Sequence, residues 1–324
     1  MIYNAIKNFH VQFDYAPVVE NRERLKTYEK YIVAGMGGSH LAADCIKTWN
    51  PYAPVQVFSD YNLPPLSDKE LSESLLIANS YSGNTEEVVD FFNQAVERRF
   101  PLAAVSVGGK LLQLAKDVKI PYVCMPDTGI QPRLALGYNI LALLALMKNE
   151  NGLREAARLA NELDASEFES AGAALAERLR GYVPIVYSSA QNIAIAYNWK
   201  IKFNETGKIP AFYNVLPELN HNEMTGFDVK DSTKKLSDNM FFLILSDSDD
   251  NPRILKRMEM LEKLYGDRGL PVETIMLEKE GGGLYKIFSS LILADWTAYY
   301  TAKQYGTEPE QVPMVEEFKH LIQI

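Results

Sequence analysis

Tyr31-Ile-Val-Ala-Gly-Met-Gly-Gly-Ser39 and Leu75-Leu-Ile-Ala-Asn-Ser80-Tyr-Ser82-Gly-Asn-Thr85-Glu86 share one plan. In each, a short apolar run passes into small and hydroxyl residues, and a helical pattern follows. The apolar runs suit buried parallel strands. A turn of this composition at a helix start gathers free backbone N–H groups, hydroxyl donors and the positive end of the helix dipole in one small volume. Such a volume suits a phosphate group.

Outward from these turns, short runs at Tyr31–Ala34, Val55–Phe58, Leu75–Asn79, Leu102–Val107 and Tyr122–Met125 alternate with helical patterns at Thr85–Arg98, Leu111–Val118 and Leu134–Met147. That alternation predicts an α/β fold, a doubly wound, mostly parallel sheet flanked by helices. An Ala/Glu/Leu/Arg-rich stretch from Asn149 to Arg180 predicts connecting helices. A second series follows, with strands at Val183–Ser188, Met240–Ser246 and Val272–Met276 and helices at Gln191–Asn204, Pro252–Tyr265 and Leu284–Tyr305. An amphipathic segment, Pro313–Ile324, comes last. The pattern predicts two domains of one plan, residues 1–150 and 151–324.

The 324 residues are 47% hydrophobic and 23% charged, ordinary values for a folded soluble protein. A formal charge of −9 argues against a nucleic-acid partner, which calls for a basic face. Cys45 and Cys124 fit neither a disulfide framework nor a zinc spacing. With no leader pattern and no apolar run long enough to span a bilayer, no membrane association is expected and the reading is cytoplasmic.

Other readings of the two turns carry less. In a dinucleotide fingerprint the third glycine would fall at position 40, which is His40, and no Gly-Lys-Ser/Thr of a P-loop follows. Ser82-x-x-Thr85-Glu86 could be an ordinary helix cap. Two such turns at the ends of neighbouring parallel strands nevertheless favour a ligand, because ligands collect at the carboxyl ends of strands in these sheets. With no lysine in either turn, neutral donors suit a monophosphate. The candidate phosphate-binding residues are Gly38, Ser39, Ser80, Ser82 and Thr85.

Three further motifs bear chemistry. Gln131-Pro-Arg133-Leu sets a cation just ahead of a buried helix, a poor electrostatic location that an anionic partner would explain. Lys200-Ile-Lys-Phe-Asn-Glu205-Thr-Gly-Lys208 sets a carboxylate at a helix end, where it is either solvated or a general base. Pro217-Glu-Leu-Asn-His221-Asn-Glu223 lacks the ligands of a zinc site, but its Asn and Glu neighbours can fix the imidazole tautomer. No metal and no cofactor are expected.

The motifs Gly-Met-Gly-Gly-Ser39 and Ser80-Tyr-Ser-Gly-Asn-Thr85 resemble the sugar isomerase (SIS) fold. Together with the Arg133, Glu205 and His221 motifs, the chain resembles the phosphoglucose/phosphomannose isomerase family from about residue 30 onward. The resemblance implies two SIS domains and an aldose–ketose isomerase acting on a hexose 6-phosphate. It makes Glu205 the proton-transfer base, Arg133 the stabiliser of the enediolate, and His221 the ring-opening group, shared across the interface of a homodimer. Val312-Pro-Met-Val-Glu-Glu-Phe-Lys319 resembles the family's closing helix, with Lys319 assisting ring opening. Members accepting both hexose phosphates carry a threonine shortly before that lysine. This chain has Gln311-Val312 there, which leaves mannose 6-phosphate open. A sugar-phosphate-binding regulator and an isomerase of another sugar phosphate are the alternatives.

Overall fold

The computed structural model describes residues 1–278 and 280–322, so the last two residues of the predicted segment Pro313–Ile324 lie outside it. The chain forms two compact units. The N-terminal unit is Asn8–Leu163; the C-terminal unit combines Met1–Lys7 with the chain from Asp164 onward.

The N-terminal unit holds strands β1 (Val19–Glu20), β2 (Lys30–Ala34), β3 (Val55–Phe58), β4 (Ser74–Asn79), β5 (Leu102–Ser106) and β6 (Tyr122–Cys124) in the order β1-β6-β5-β4-β2-β3. All pairings are parallel except β1 with β6. β4 and β5 are buried along their whole length, which is why they read as unbroken apolar runs. Ile32, Leu76, Ala78 and Ala104 meet Val88, Phe91 and Phe92 of the helix Glu86–Glu97 and Leu111 and Ala115 of the helix Gly109–Val118.

The C-terminal unit holds β7 (Val183–Ser189), β8 (Phe212–Leu216), β9 (Met240–Ser246) and β10 (Val272–Met276), all parallel, in the order β10-β9-β7-β8. β8 was not expected from the sequence. It is a half-exposed edge strand with Asn214 at its centre, so it shows no continuous apolar run.

The units divide after Leu163, not near residue 150. The helix Glu150–Glu162 belongs with the N-terminal unit, where Trp49 Nε1 donates to Glu155 at 2.9 Å and Gly152 lies against Leu144. The helix Ile2–Lys7 belongs with the C-terminal unit. There Tyr3 donates to Glu169 at 3.1 Å, and its ring packs edge-on to Trp296 at 5.1 Å.

Candidate active site

In the N-terminal unit, β2 and β4 deliver the two hydroxyl turns side by side. Asn79, the last residue of β4, donates to the Ser39 carbonyl at 2.7 Å and exchanges hydrogen bonds with Asn139 at 2.8 and 3.1 Å. The Tyr81 N–H donates to Ser39 Oγ at 2.9 Å, so each turn braces the other. Gly38 opens the helix Gly38–Trp49, and a Cβ there would lie 2.8 Å from the Pro132 carbonyl carbon and 2.9 Å from the Arg133 nitrogen. The absence of a side chain at Gly38 therefore lets the first turn approach the arginine segment.

Arg133 lies in the 3-10 turn Pro132–Leu134 and is only 1% exposed. Gln12, unnoticed in the sequence, holds this region from a distance. Its amide donates to the Leu134 carbonyl at 2.7 Å and accepts from the N–H groups of Gly137 and Tyr138 at 3.0 and 3.3 Å. A buried glutamine thus caps the helix Leu136–Leu146.

The second turn is not the side-chain cap that its Thr-Glu pattern offers. Thr85 occupies the N-cap position of Glu86–Glu97 but makes no side-chain cap bond; its hydroxyl meets Ser80 Oγ at 2.7 Å. Ser80 is fully buried and also accepts from the Gly83 N–H at 3.1 Å, so it shapes the turn and presents nothing outward. Ser82 is exposed and Thr85 half-buried. Gly83 and Gly109 lock this loop to the next one, because a Cβ on Gly83 would lie 1.9 Å from the Gly108 carbonyl oxygen. A cavity of about 470 Å³, lined by Tyr28, Tyr31, Asn50 and Lys148 among others, opens at the opposite edge of the sheet, where β2 and β3 begin. The hydroxyl turns lie instead at the carboxyl ends of β2 and β4, where open α/β sheets bind ligands.

In the C-terminal unit, the helix Ile193–Lys202 widens into a π-helical turn, Phe203–Gly207, and Glu205 sits within it, half-buried. Such turns recur at functional sites. Lys202 anchors the helix by a buried ion pair with Asp295 at 2.6 Å. Lys208, in the left-handed conformation at φ 59°, donates to the Glu205 carbonyl at 2.7 Å and also to the Gln311 carbonyl. The segment before the last helix is therefore tied to the backbone of Glu205.

His221 ends the short 3-10 turn Glu218–His221; it is exposed, and its side chain makes no hydrogen bond among the described residues. The neighbours that the sequence offers as ring partners bond elsewhere: Asn222 to Glu218 at 2.8 Å, Glu223 to Tyr187 and Asn214. Lys319 lies on the helix Pro313–Leu321, paired with Glu316 at 2.8 Å, and that helix buries no residue. The described contacts do not join Glu205, His221 and Lys319 to one another. Among the described residues, no group of three or more His, Cys, Asp or Glu is placed to hold a metal ion, and no helix is long and apolar enough to cross a membrane.

Two mostly parallel sheets flanked by helices, the first with hydroxyl-rich turns at its strand ends, define the class: this is an SIS-domain protein. Residues 168–322 match the bacterial phospho-glucose isomerase C-terminal SIS domain family. The fold is similar to the C-terminal domain of glucosamine-fructose-6-phosphate aminotransferase from Francisella tularensis, with a TM-score of 0.66 at 15% identity over 96% of both chains. The bifunctional phosphoglucose/phosphomannose isomerase of Aquifex aeolicus is 31% identical over 98% of this chain and 97% of its own length. The protein of the same name from Thermoplasma volcanium is 33% identical over 90% of this chain and 91% of its own. The chain belongs to the bifunctional phosphoglucose/phosphomannose isomerase family.

Proposed function

We propose that this protein is an aldose–ketose isomerase that interconverts glucose 6-phosphate, and with it mannose 6-phosphate, with fructose 6-phosphate through a cis-enediolate. The phosphate rests on Ser39, Ser82, Thr85 and the backbone N–H groups at Gly38, with Ser80 aiming Thr85. Binding energy from this unreactive end orients the reacting carbons. His221, assisted by Lys319, opens the sugar ring. Glu205 carries the proton between C2 and C1, and Arg133 stabilises the oxyanion that develops. Each step is supplied by a side chain, so the scheme contains no metal.

The observation that supports the reading most is the approach of Gly38 to the Pro132–Arg133 peptide, which makes an anion-suited turn and a buried guanidinium parts of one unit. An exposed His221 whose side chain makes no hydrogen bond among the described residues fits a group that completes the site of a second copy, so we include a homodimer in the proposal. The test is a coupled assay for glucose 6-phosphate formed from fructose 6-phosphate, run beside one with mannose 6-phosphate. Turnover of both is expected. Tight binding of fructose 6-phosphate without turnover would replace the enzyme with a sugar-phosphate-binding regulator.

A further inference from the structure

The turn that carries His221 is held two residues to either side of it. On one side Leu219 is fully buried and joins the core cluster of Tyr187, Leu216, Phe242 and Tyr265. On the other, Glu223 receives two hydrogen bonds. The Tyr187 hydroxyl donates to its Oε1 at 2.5 Å, and Asn214 Nδ2 donates to its Oε2. Both donors are themselves fixed. The Tyr187 ring is fully buried, 5.6 Å from Phe242 and 6.5 Å from Tyr265, and burial pushes its phenol far above the ordinary range, so it stays a donor. Asn214 accepts from the Val215 N–H at 2.8 Å, which leaves its amide nitrogen aimed at the carboxylate. One side chain therefore joins the histidine turn to β7 and β8. His221, between the two anchors, is exposed and makes no side-chain hydrogen bond among the described residues, so its placement depends on its backbone.

We propose that Glu223 is a positioning residue, a carboxylate clamp that holds the His221 turn at the angle ring opening requires; this rests on the reading of His221 as the ring-opening group. A carboxylate accepts from both donors at once, and hydrogen bonds to a charged acceptor are the stronger kind. Glutamine would lose that charge and could keep both contacts only by turning its N–H2 group toward the Tyr187 hydroxyl, which must then accept where it now donates. The clamp acts on ring opening alone and leaves the phosphate turns untouched.

The experiment compares Glu223→Gln, the double variant Glu223→Gln with Asn214→Asp, and His221→Ala. It measures kcat and KM for fructose 6-phosphate and the inhibition constant of 5-phosphoarabinonate, an open-chain phosphorylated acid that needs no ring opening. Glu223→Gln should lower kcat by about 100-fold, the scale of a group displaced by an ångström, while the inhibition constant stays unchanged. Adding Asn214→Asp supplies an acceptor for the new amide and should recover most of the lost kcat. Equal losses in kcat and in affinity for the acid would overturn the proposal, as would full activity in Glu223→Gln or a double variant no better than the single. An impaired His221→Ala beside an unimpaired Glu223→Gln defeats the clamp alone. An unimpaired His221→Ala defeats the ring-opening reading and the clamp with it.

Discussion

β4 and β9 hold the same place in their sheets, each beside a strand, β2 or β7, whose other neighbour is the edge strand β3 or β8. The chain leaving them differs. Beyond Asn79 it continues Ser80-Tyr-Ser82-Gly83, whereas beyond Ser246 it continues Asp247-Ser248-Asp249-Asp250. In the N-terminal unit this end of the sheet offers hydroxyls and backbone N–H groups. In the C-terminal unit it is already filled by its own charges. Lys286 donates to Asp247 at 2.5 Å, and Asn192 donates to Asp247 at 3.1 Å and to Ser189 at 3.2 Å. Burial alone would raise the Asp247 pKa, but Lys286, the Asp249 N–H and Asn192 outweigh it and hold it below the ordinary value. An incoming phosphate would meet buried negative charge there. On the proposed reading, a repeated scaffold carries one anion site, and the second copy would contribute through other elements, the π-helical turn of Glu205 and the turn of His221.

The sharpest test of this division removes the chemistry assigned to the C-terminal unit and leaves the anchor intact. Glu205→Gln should lose on the order of 10²–10⁴ in kcat, the usual worth of a proton-transfer group, with KM unchanged. Unaltered turnover would take the base away from Glu205.

The next test imports the charge of the second loop into the first. Ser82→Asp places a carboxylate beside the proposed phosphate, and like charges so placed should raise KM for fructose 6-phosphate by roughly 10- to 100-fold. Ser248→Asp, an exposed position in the corresponding loop, is the matched control and should leave KM where it was. Equal effects at the two positions would break the comparison.

A third asks whether the approach of the first turn to Arg133 matters. The added methyl of Gly38→Ala meets backbone, which cannot swing aside. The variant should lose about 1–3 kcal/mol of stability, read by denaturant unfolding, and KM should rise with it. Wild-type stability would show that the two segments separate freely.

The smallest effect is expected at Asp250, whose pKa is raised by burial and by the neighbouring charge of Asp247, partly offset by Ser189 and Lys286. A carboxyl that holds its proton more tightly when folded contributes stability below its unfolded pKa of about 3.9, and that contribution is lost as pH rises through the folded value. Asp250→Asn never ionises, so it should melt a few degrees higher than wild type at neutral pH and show no advantage at pH values below that window. A gain independent of pH would point to packing instead.

The parallel strands of the N-terminal unit were legible because buried strands bounded by turn residues leave continuous apolar runs. β8 left no such mark, since Asn214 interrupts a half-exposed edge. The hydroxyl turns were legible because every group in them is local. Gln12 was not, because the N–H it caps lies 125 residues away, and a lone glutamine carries no sign of its partner. The π-helical turn at Glu205 depends on the size of the hydrogen-bonded ring, which residue types do not encode. Asn222 and Glu223 read as partners for the histidine ring because they adjoin it, but Glu223 bonds across to neighbouring strands.

The helix Ile2–Lys7 gives the C-terminal unit a discontinuous chain, with the whole N-terminal unit spliced into it as an insertion. Ile2 and Ile6 are buried, and the partners of Tyr3 are Glu169 and Trp296. During synthesis this short helix must wait, unpaired, while the entire insert emerges and folds. Trimming it would therefore damage the distant half of the polypeptide and spare the half that follows it directly.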